Sequence, residues 1–422
     1  DALVSDIGGT TTDIALLKGG LPEIDPLGAR VGGFRTMVEA VAMRTTGLGG
    51  DSEAHLRTTG LEGGFFLGPR RLIPVSLLAV EHGAMVHDAL DRALSVDAVG
   101  EHDGRFVVPM EFDPAGLTAR EAGLLARITQ PMPLTAALAS RLEVAAMDRL
   151  IARGLVMLSG VTPSDASHVL GGLTDWDASA AQKAVALMAR RRNGRGERIA
   201  ASPGALAQSI IDQLTEQTAT CLLEAAFGED EMFAGQDGSV LAQHPLLRAG
   251  LNQHRGVVEL SARLGVPVIG LGASAPYYYG AVGARLGAKM ILPEHAGVAN
   301  AIGAVVGQVS QRATGLVSSA GEGQFTAHLA SGPERFTSKA AALAAMEAAL
   351  ISEARTRARL AGADELLIAT SRDIREAEVE GRAMFIEATL TATASGRPRV
   401  AHAMEKAVEG EIGITGTVYG AA

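Results

Sequence analysis

The chain has 422 residues, 47% hydrophobic and 20% charged, a balance that belongs to a globular protein of two or three domains and excludes a disordered segment. A formal net charge of −10 speaks against a nucleic-acid partner, whose phosphates call for basic surface. The single cysteine, Cys221, excludes an intrachain disulfide framework and points to a reducing cytoplasm, and no apolar run reaches the roughly eighteen residues of a membrane span.

In chain order, residues 1–80 read as short strands and glycine turns. The stretch VSDIGGTTTDIALLKGG, Val4 to Gly20, is an apolar strand, a Gly-Gly-Thr-Thr-Thr turn between two aspartates, and a second apolar strand. Gly8 and Gly9 let backbone approach a ligand closely, and successive N–H groups in such a turn make an anion-binding concavity. Thr10, Thr11 and Thr12 add hydroxyl donors. Donors without bulk are what phosphate oxygens require. An acid beside a phosphate repels it unless Mg2+ lies between them, so Asp6 is expected on the metal side. Asp13 either secures the turn or serves as a second metal-side group. An ordinary hairpin with a Gly-Gly turn is the alternative; D-x-G-G-T-T-T-D between apolar strands is more specific than that.

MRTTGLGGDSEAHLRTTG, Met43 to Gly60, reads as strand, glycine turn, strand. Asp51 and His55 have two readings: a metal-binding or proton-handling pair, or a turn aspartate and a strand histidine with no such role. From residue 81 to about 200 the pattern turns helical, with GRFVVPMEF as a short strand. AMVHDALDRAL repeats apolar residues at three- and four-residue spacing. His82 reads as a structural histidine. In TPSDASHVL, Thr162 is an N-cap, Pro163 the first helical residue and Asp165 a first-turn acid. This insertion is either of winged-helix type or a set of packing helices. The basic run ARRRNGRGER, Ala189 to Arg198, reads as a solvated helix end.

Helices are expected over Ala178–Arg192 and Pro203–Phe227, the second burying an inert Cys221. In VIGLGASAPYYYGAVGARLG, Gly270 and Gly272 follow a β-branched strand, and Ala273 and Ser274 lead into a helix. A nucleoside can pack against such a turn beside the helix N-terminus. Tyr277, Tyr278 and Tyr279 either line a pocket or pack the helix. Residues 201–320 thus form a second part of the same lobe. The tail, 321–422, reads as a separate α+β unit: an Ala-rich helix from Ser338 to Leu360 stopped by Gly362, then alternating apolar and polar residues of antiparallel strands.

The motif VSDIGGTTTDIALL resembles the second phosphate motif of the sugar kinase, heat-shock chaperone and actin ATPase superfamily, and VIGLGASAPYYYGAV resembles its adenosine motif. DIGGTTTDI, RTTGLGGDS and GARLGAKMILPEHAGVANAIGAVVG are similar, in order, to hydantoinase A/5-oxoprolinase proteins over residues 1–317. The resemblance implies an α/β fold with ribonuclease-H-like ATPase lobes, a helical insertion and a C-terminal α+β unit. It implies ATP and Mg2+ as cofactors and the ring opening of a small cyclic amide such as a hydantoin or 5-oxoproline. Gly8, Gly9 and Thr10 to Thr12 would hold the terminal phosphates, Asp6 the metal and attacking group, and Gly270 and Gly272 the nucleoside. Relatives often show GGGS where this chain has GGDS, Gly49 to Ser52. In such proteins each of two lobes contributes a phosphate loop, and no second loop of that kind is found here. The chain is therefore expected to be the C-terminal part of the complete enzyme, its other lobe supplied upstream or by a hydantoinase B-type partner, within an oligomer. An ATP-binding regulatory or chaperone-like module and a subunit of an ATP-dependent ketone carboxylase are the alternatives.

Overall fold

A computed structural model of the chain describes residues 1–25, 30–31, 34–35, 40–56, 64–307, 309–321, 323–379 and 382–398. The end of the Met43–Gly60 stretch, beyond Leu56, and residues 399–422 of the tail lie outside them. The fold is mixed α/β in two compact units, Asp1–Val298 and Ala299–Ala422.

The first unit is built on a six-stranded sheet. Ala2–Ile7 and Thr12–Lys18 form the antiparallel hairpin, joined at Leu21–Pro22 and Met43–Thr46 by two further antiparallel pairings to the second strand. On the other side, Val268–Leu271 runs parallel to Ala2–Ile7, and Met290–Ile291 runs parallel to Val268–Leu271. The sheet thus continues an antiparallel meander with parallel strands. Alternation puts Leu3, Ile7 and Ile14 into the core, where they meet Leu206, Ile210 and Leu214 of the helix Pro203–Glu229. That helix starts where the sequence says it should: Pro203 is its first residue, and the Ser202 hydroxyl accepts from the Ala205 N–H. Cys221, on the same helix, is half-buried, and burial pushes its thiol up to about 11.

The segment expected to be a helical insertion contains a sheet of its own. Ile73–Pro74, Val156–Gly160, Phe106–Pro109 and Met132–Pro133 lie side by side in that order. Val107, Leu124, Leu150 and Val156 form the core on one flank. Val86 and Leu90 of the helix Val75–Leu94 pack with Phe106, Ala184 and Leu187 on the other. His82 sits at a break in that helix, with φ −123° and ψ 36°. Among the described residues no helix is long and apolar enough to cross a membrane.

The second unit starts at Ala299, ahead of the expected boundary at residue 321. The reason is pairing: Val309–Gly321 runs antiparallel to Arg382–Pro398 from Val309↔Gly396 to Ser318↔Glu387, which ties it to the tail. Five antiparallel strands result, in the order Gly332–Phe336, Gln324–Leu329, Val309–Gly321, Arg382–Pro398, Ala363–Val379. The helix Lys339–Leu360, capped by Ser338, lays Leu343, Met346 and Leu350 against Ala388, Leu390 and Ala392. Gly315 accommodates the Met346 sulfur, which would lie 2.4 Å from any Cβ there.

Candidate functional site

Three loops of the first unit converge at the carboxyl end of Ala2–Ile7 and its parallel neighbour Val268–Leu271, the end at which open α/β sheets take ligands. The first is the turn Gly8–Thr11, closed by a hydrogen bond from the Gly8 N–H to the Thr11 carbonyl at 2.9 Å. The second, Gly47–Asp51, lies against it: the Gly50 N–H donates to the Gly8 carbonyl at 3.0 Å and the Asp51 N–H to the Gly9 carbonyl at 2.7 Å. The contact requires Gly49, whose Cβ would stand 2.4 Å from the Gly8 oxygen. The third is the turn at Gly272, with φ +109°, where a Cβ would be 2.2 Å from the Ile7 carbonyl oxygen and 3.2 Å from Asp6 Oδ1.

This packing fixes the direction of the turn's donors. In a trans peptide the C=O and the following N–H point opposite ways. The Gly8 and Gly9 carbonyls are held by Gly50 and Asp51, so the Gly9 and Thr10 N–H groups face away from that loop. Gly8, Gly9 and Thr10 are exposed. Among the described residues, neither the Gly9 nor the Thr10 amide donates to another group of the chain. Unspent N–H groups in a glycine turn are donors that an anion can accept.

The threonines divide. Thr10 is exposed, and the Thr11 hydroxyl donates to Asp13 Oδ2 at 3.2 Å. Thr12, expected among the phosphate ligands, is fully buried, and its hydroxyl donates to the Leu48 carbonyl at 2.8 Å, so it holds the second loop instead. Asp6 and Asp13 are cross-strand partners, both half-buried. Like charges directly opposite on a sheet are unfavourable unless a cation lies between them. Mg2+ is commonly held by one or two carboxylates together with substrate phosphates, and this pair beside an anion turn suits it. Among the described residues no group of three or more His, Cys, Asp or Glu is placed to hold a metal by itself.

Asp51 and His55, expected as metal-side partners, have different neighbours. Asp51 Oδ2 pairs with Arg71, Nη2 at 3.2 Å and Nε at 3.3 Å, and burial raises its pKa against that pairing. A Cβ on Gly9 would meet the same Oδ2 at 2.5 Å, so the aspartate of GGDS buttresses the turn Gly8–Thr11. His55 instead stacks on Phe66, ring centroids 4.8 Å apart, with Nε2 3.2 Å from Glu53 Oε2. Arg71 carries no signal in the sequence; only the register of Ser52–Leu56 with Phe65–Arg71 brings it over Asp51.

The loop at Asp51 is anchored from behind. The Ser164 N–H and hydroxyl both donate to the Gly50 carbonyl, at 2.8 and 2.9 Å. Next to it, the fully buried Asp165 carboxylate accepts from the N–H groups of Val75, Ser76 and Thr162 and from the Ser76 and Thr162 hydroxyls. Burial drives its pKa upward, and five donors oppose that by favouring the ionised form. His168 is locked by its neighbours: Nδ1 lies 2.8 Å from the Ser164 carbonyl, and Nε2 accepts from the Trp176 N–H at 3.2 Å.

At the turn expected to flank a nucleoside, both glycines make room for protein, Gly272 for the Ile7 carbonyl. Gly270 is buried, and a Cβ there would stand 2.7 Å from the Tyr279 ring and 2.8 Å from Leu292, so this glycine serves packing. Ala273 is exposed and Ser274 half-exposed, at the start of the helix Ala275–Leu286. Tyr278 and Tyr279 are core residues and only Tyr277 reaches solvent. The Tyr279 hydroxyl lies 2.8 Å from the Ser5 carbonyl and 2.7 Å from the Ser5 hydroxyl; Tyr278 pairs with Ser167 at 3.1 Å, and burial pushes its hydroxyl up to about 12.

Residues 1–70 match a model of the hydantoinase/oxoprolinase family, a span that holds the turn Gly8–Thr11, the loop Gly47–Asp51 and the strand Ser52–Leu56. No curated protein matches the sequence. Among solved structures, the chain is similar to nucleotide-free acetone carboxylase, described in connection with ATP-dependent acetone carboxylation, at 15% identity and a TM-score of 0.45. That similarity covers 94% of this chain and 46% of the other, so the chain spans about half the length of the protein it resembles.

Proposed function

We propose, taking as premise the family match over residues 1–70, that the chain holds the terminal phosphates of ATP on the turn Gly8–Thr11 and works in the ATP-dependent opening of a cyclic amide. The observation that carries the reading is the pair of Gly9 and Thr10 N–H groups, aimed outward because their neighbouring carbonyls are bound to Gly50 and Asp51. Such donors are oriented before any ligand arrives, so they cost little reorganisation when negative charge develops beside them. Asp6 and Asp13 are the residues to hold Mg2+, and Asp6 orients the attacking group. Ala273 and Ser274, at an exposed helix start, border the nucleoside. Thr12, Asp51, Arg71 and Ser164 act behind the turn by fixing the second loop. ATP supplies a phosphoryl group for the amide oxygen, which removes the resonance that protects a ring carbonyl from attack. A second lobe or a hydantoinase B-type subunit supplies the facing wall of the site.

The test joins the chain with its candidate partner subunit, ATP, Mg2+ and hydantoin or 5-oxoproline. Phosphate release in step with ring opening is expected, and Asp6→Ala should lower turnover by about a hundredfold or more with the fold intact. Phosphate release indifferent to the ring compound would favour a regulatory or chaperone-like ATPase, and a requirement for bicarbonate would favour a carboxylase. Unchanged turnover in a folded Asp6→Ala protein removes Asp6 from the site.

A further inference from the structure

A second site lies in the same unit, along the strand Ser52–Leu56, and the phosphate reading makes no use of it. It is a cavity of about 190 Å3 with a wall of Leu56, Leu72, Val161 and Met188. Its polar side is formed by Glu53, His55, Arg105 and Arg191, with Glu101 and Asp103 beside them. Glu53 is 4% exposed. Its Oε1 is paired with the Arg105 guanidinium, while Oε2 accepts no hydrogen bond, with His55 Nε2 at 3.2 Å and Arg70 Nε at 3.8 Å. A buried carboxylate oxygen left without a donor costs about 1–3 kcal/mol, so Oε2 is an acceptor that a ligand can satisfy.

Arg191 is the complementary case. Its Nη2 donates to the Glu101 carbonyl at 3.0 Å, and among the described residues no carboxylate lies within ion-pair distance of its guanidinium. Burial first, and the nearby Arg105 second, disfavour its charge. Glu101 and Asp103 oppose that only in part, and Asp103 Oδ2 accepts from the Gly100 N–H at 2.7 Å. A guanidinium with unspent donors, partly desolvated and beside a second cation, calls for an anion. Three carboxylates around the same cavity make a dianion costly, which favours a monoanionic carboxylate over a phosphate. The volume is below the roughly 300–1,000 Å3 of sites for drug-sized ligands, so the occupant has few heavy atoms.

We propose that this cavity binds a small monocarboxylate carrying an N–H donor near its acid group, the carboxylate on Arg191 and the N–H donating to Glu53 Oε2. The site is formed entirely by residues of this chain, and its occupancy does not depend on nucleotide.

Calorimetric titration of the 422-residue chain, without nucleotide, tests this with N-acetylglycine as probe. It should bind, with its methyl ester and its N-methylated analogue each weaker by about tenfold or more, since each lacks one of the two charged-group contacts. Arg191→Gln should remove the preference for the acid over the ester, and Arg191→Lys should keep part of it. Equal binding of acid and ester, equal binding of the N–H and N-methyl compounds, no binding of the acid at millimolar concentration, or an unaltered preference in Arg191→Gln would each overturn the proposal. The three ligand comparisons use the unsubstituted protein, so they decide the matter even where a variant fails to fold.

Discussion

Two glycine turns sit side by side at the carboxyl ends of neighbouring parallel strands, and they use their glycines differently. In the first, only Gly8 has room for a side chain, Gly9 makes way for the Asp51 carboxylate, and the Gly9 and Thr10 N–H groups stay available because the neighbouring carbonyls are bound elsewhere. At Gly270–Gly272 the missing side chains are filled by protein: the Tyr279 ring and Leu292 at one glycine, the Ile7 carbonyl at the other. A glycine-rich turn in a sequence thus records close approach of backbone, and the structure shows at which glycines the close neighbour is the protein itself.

Substitution sharpens that contrast. The largest expected effect is at Gly272, where alanine brings both a strained φ of +109° and a Cβ 2.2 Å from a backbone oxygen. Gly272→Ala should cost about 3 kcal/mol or more in chemical denaturation. Gly270→Ala must displace an aromatic ring and should cost about 1–3 kcal/mol. Thr12→Val leaves the Leu48 carbonyl without its donor and should cost about 1–2 kcal/mol. Gly8→Ala meets only the Thr11 oxygen at an ordinary 3.5 Å, so stability should change by less than about 1 kcal/mol. A Gly8→Ala loss as large as that of Gly272→Ala would erase the distinction between the two turns.

A smaller, pH-dependent effect belongs to the strand that leaves the second loop. Burial holds the His55 pKa below its ordinary 6.5, with Glu53 opposing and Arg105 and Arg70 assisting the shift. The unfolded chain therefore binds the proton first as pH falls, and the fold loses stability from about pH 6.5 down through the folded-state value. His55→Gln should flatten that part of the acid limb in urea titrations at stepped pH. An acid limb of the same slope would show that His55 does not carry it.

Much of this was legible in the sequence. The hairpin follows from two apolar runs around Gly-Gly, and the helices expected over 203–227 and 338–360 are found at Pro203–Glu229 and Lys339–Leu360, with Ser202 and Ser338 as their caps. Thr162 and Asp165 form the expected helix start as a capping box. What the sequence hid depends on distant register. Thr12 looks like Thr10 and Thr11 until alternation turns its hydroxyl inward to Leu48. Arg191 belongs to a basic run that reads as solvated, yet it lines a cavity with Glu53 and Arg105, residues far from it in the chain. Of the sheet that reaches into the presumed helical insertion, the sequence showed Phe106–Pro109 as a short strand; two of the other three are only two residues long, too short to show a period.

The most direct measurement of the central claim is the amide chemical shift of Gly9 and Thr10 in an isotope-labelled chain, recorded with its partner lobe or subunit, as Mg2+ and a non-hydrolysable ATP analogue are added. The account predicts that these two amides move downfield together at saturation, and that neither moves when Asp6→Ala prevents metal-supported binding. Saturation by the nucleotide with both amides unmoved would contradict it.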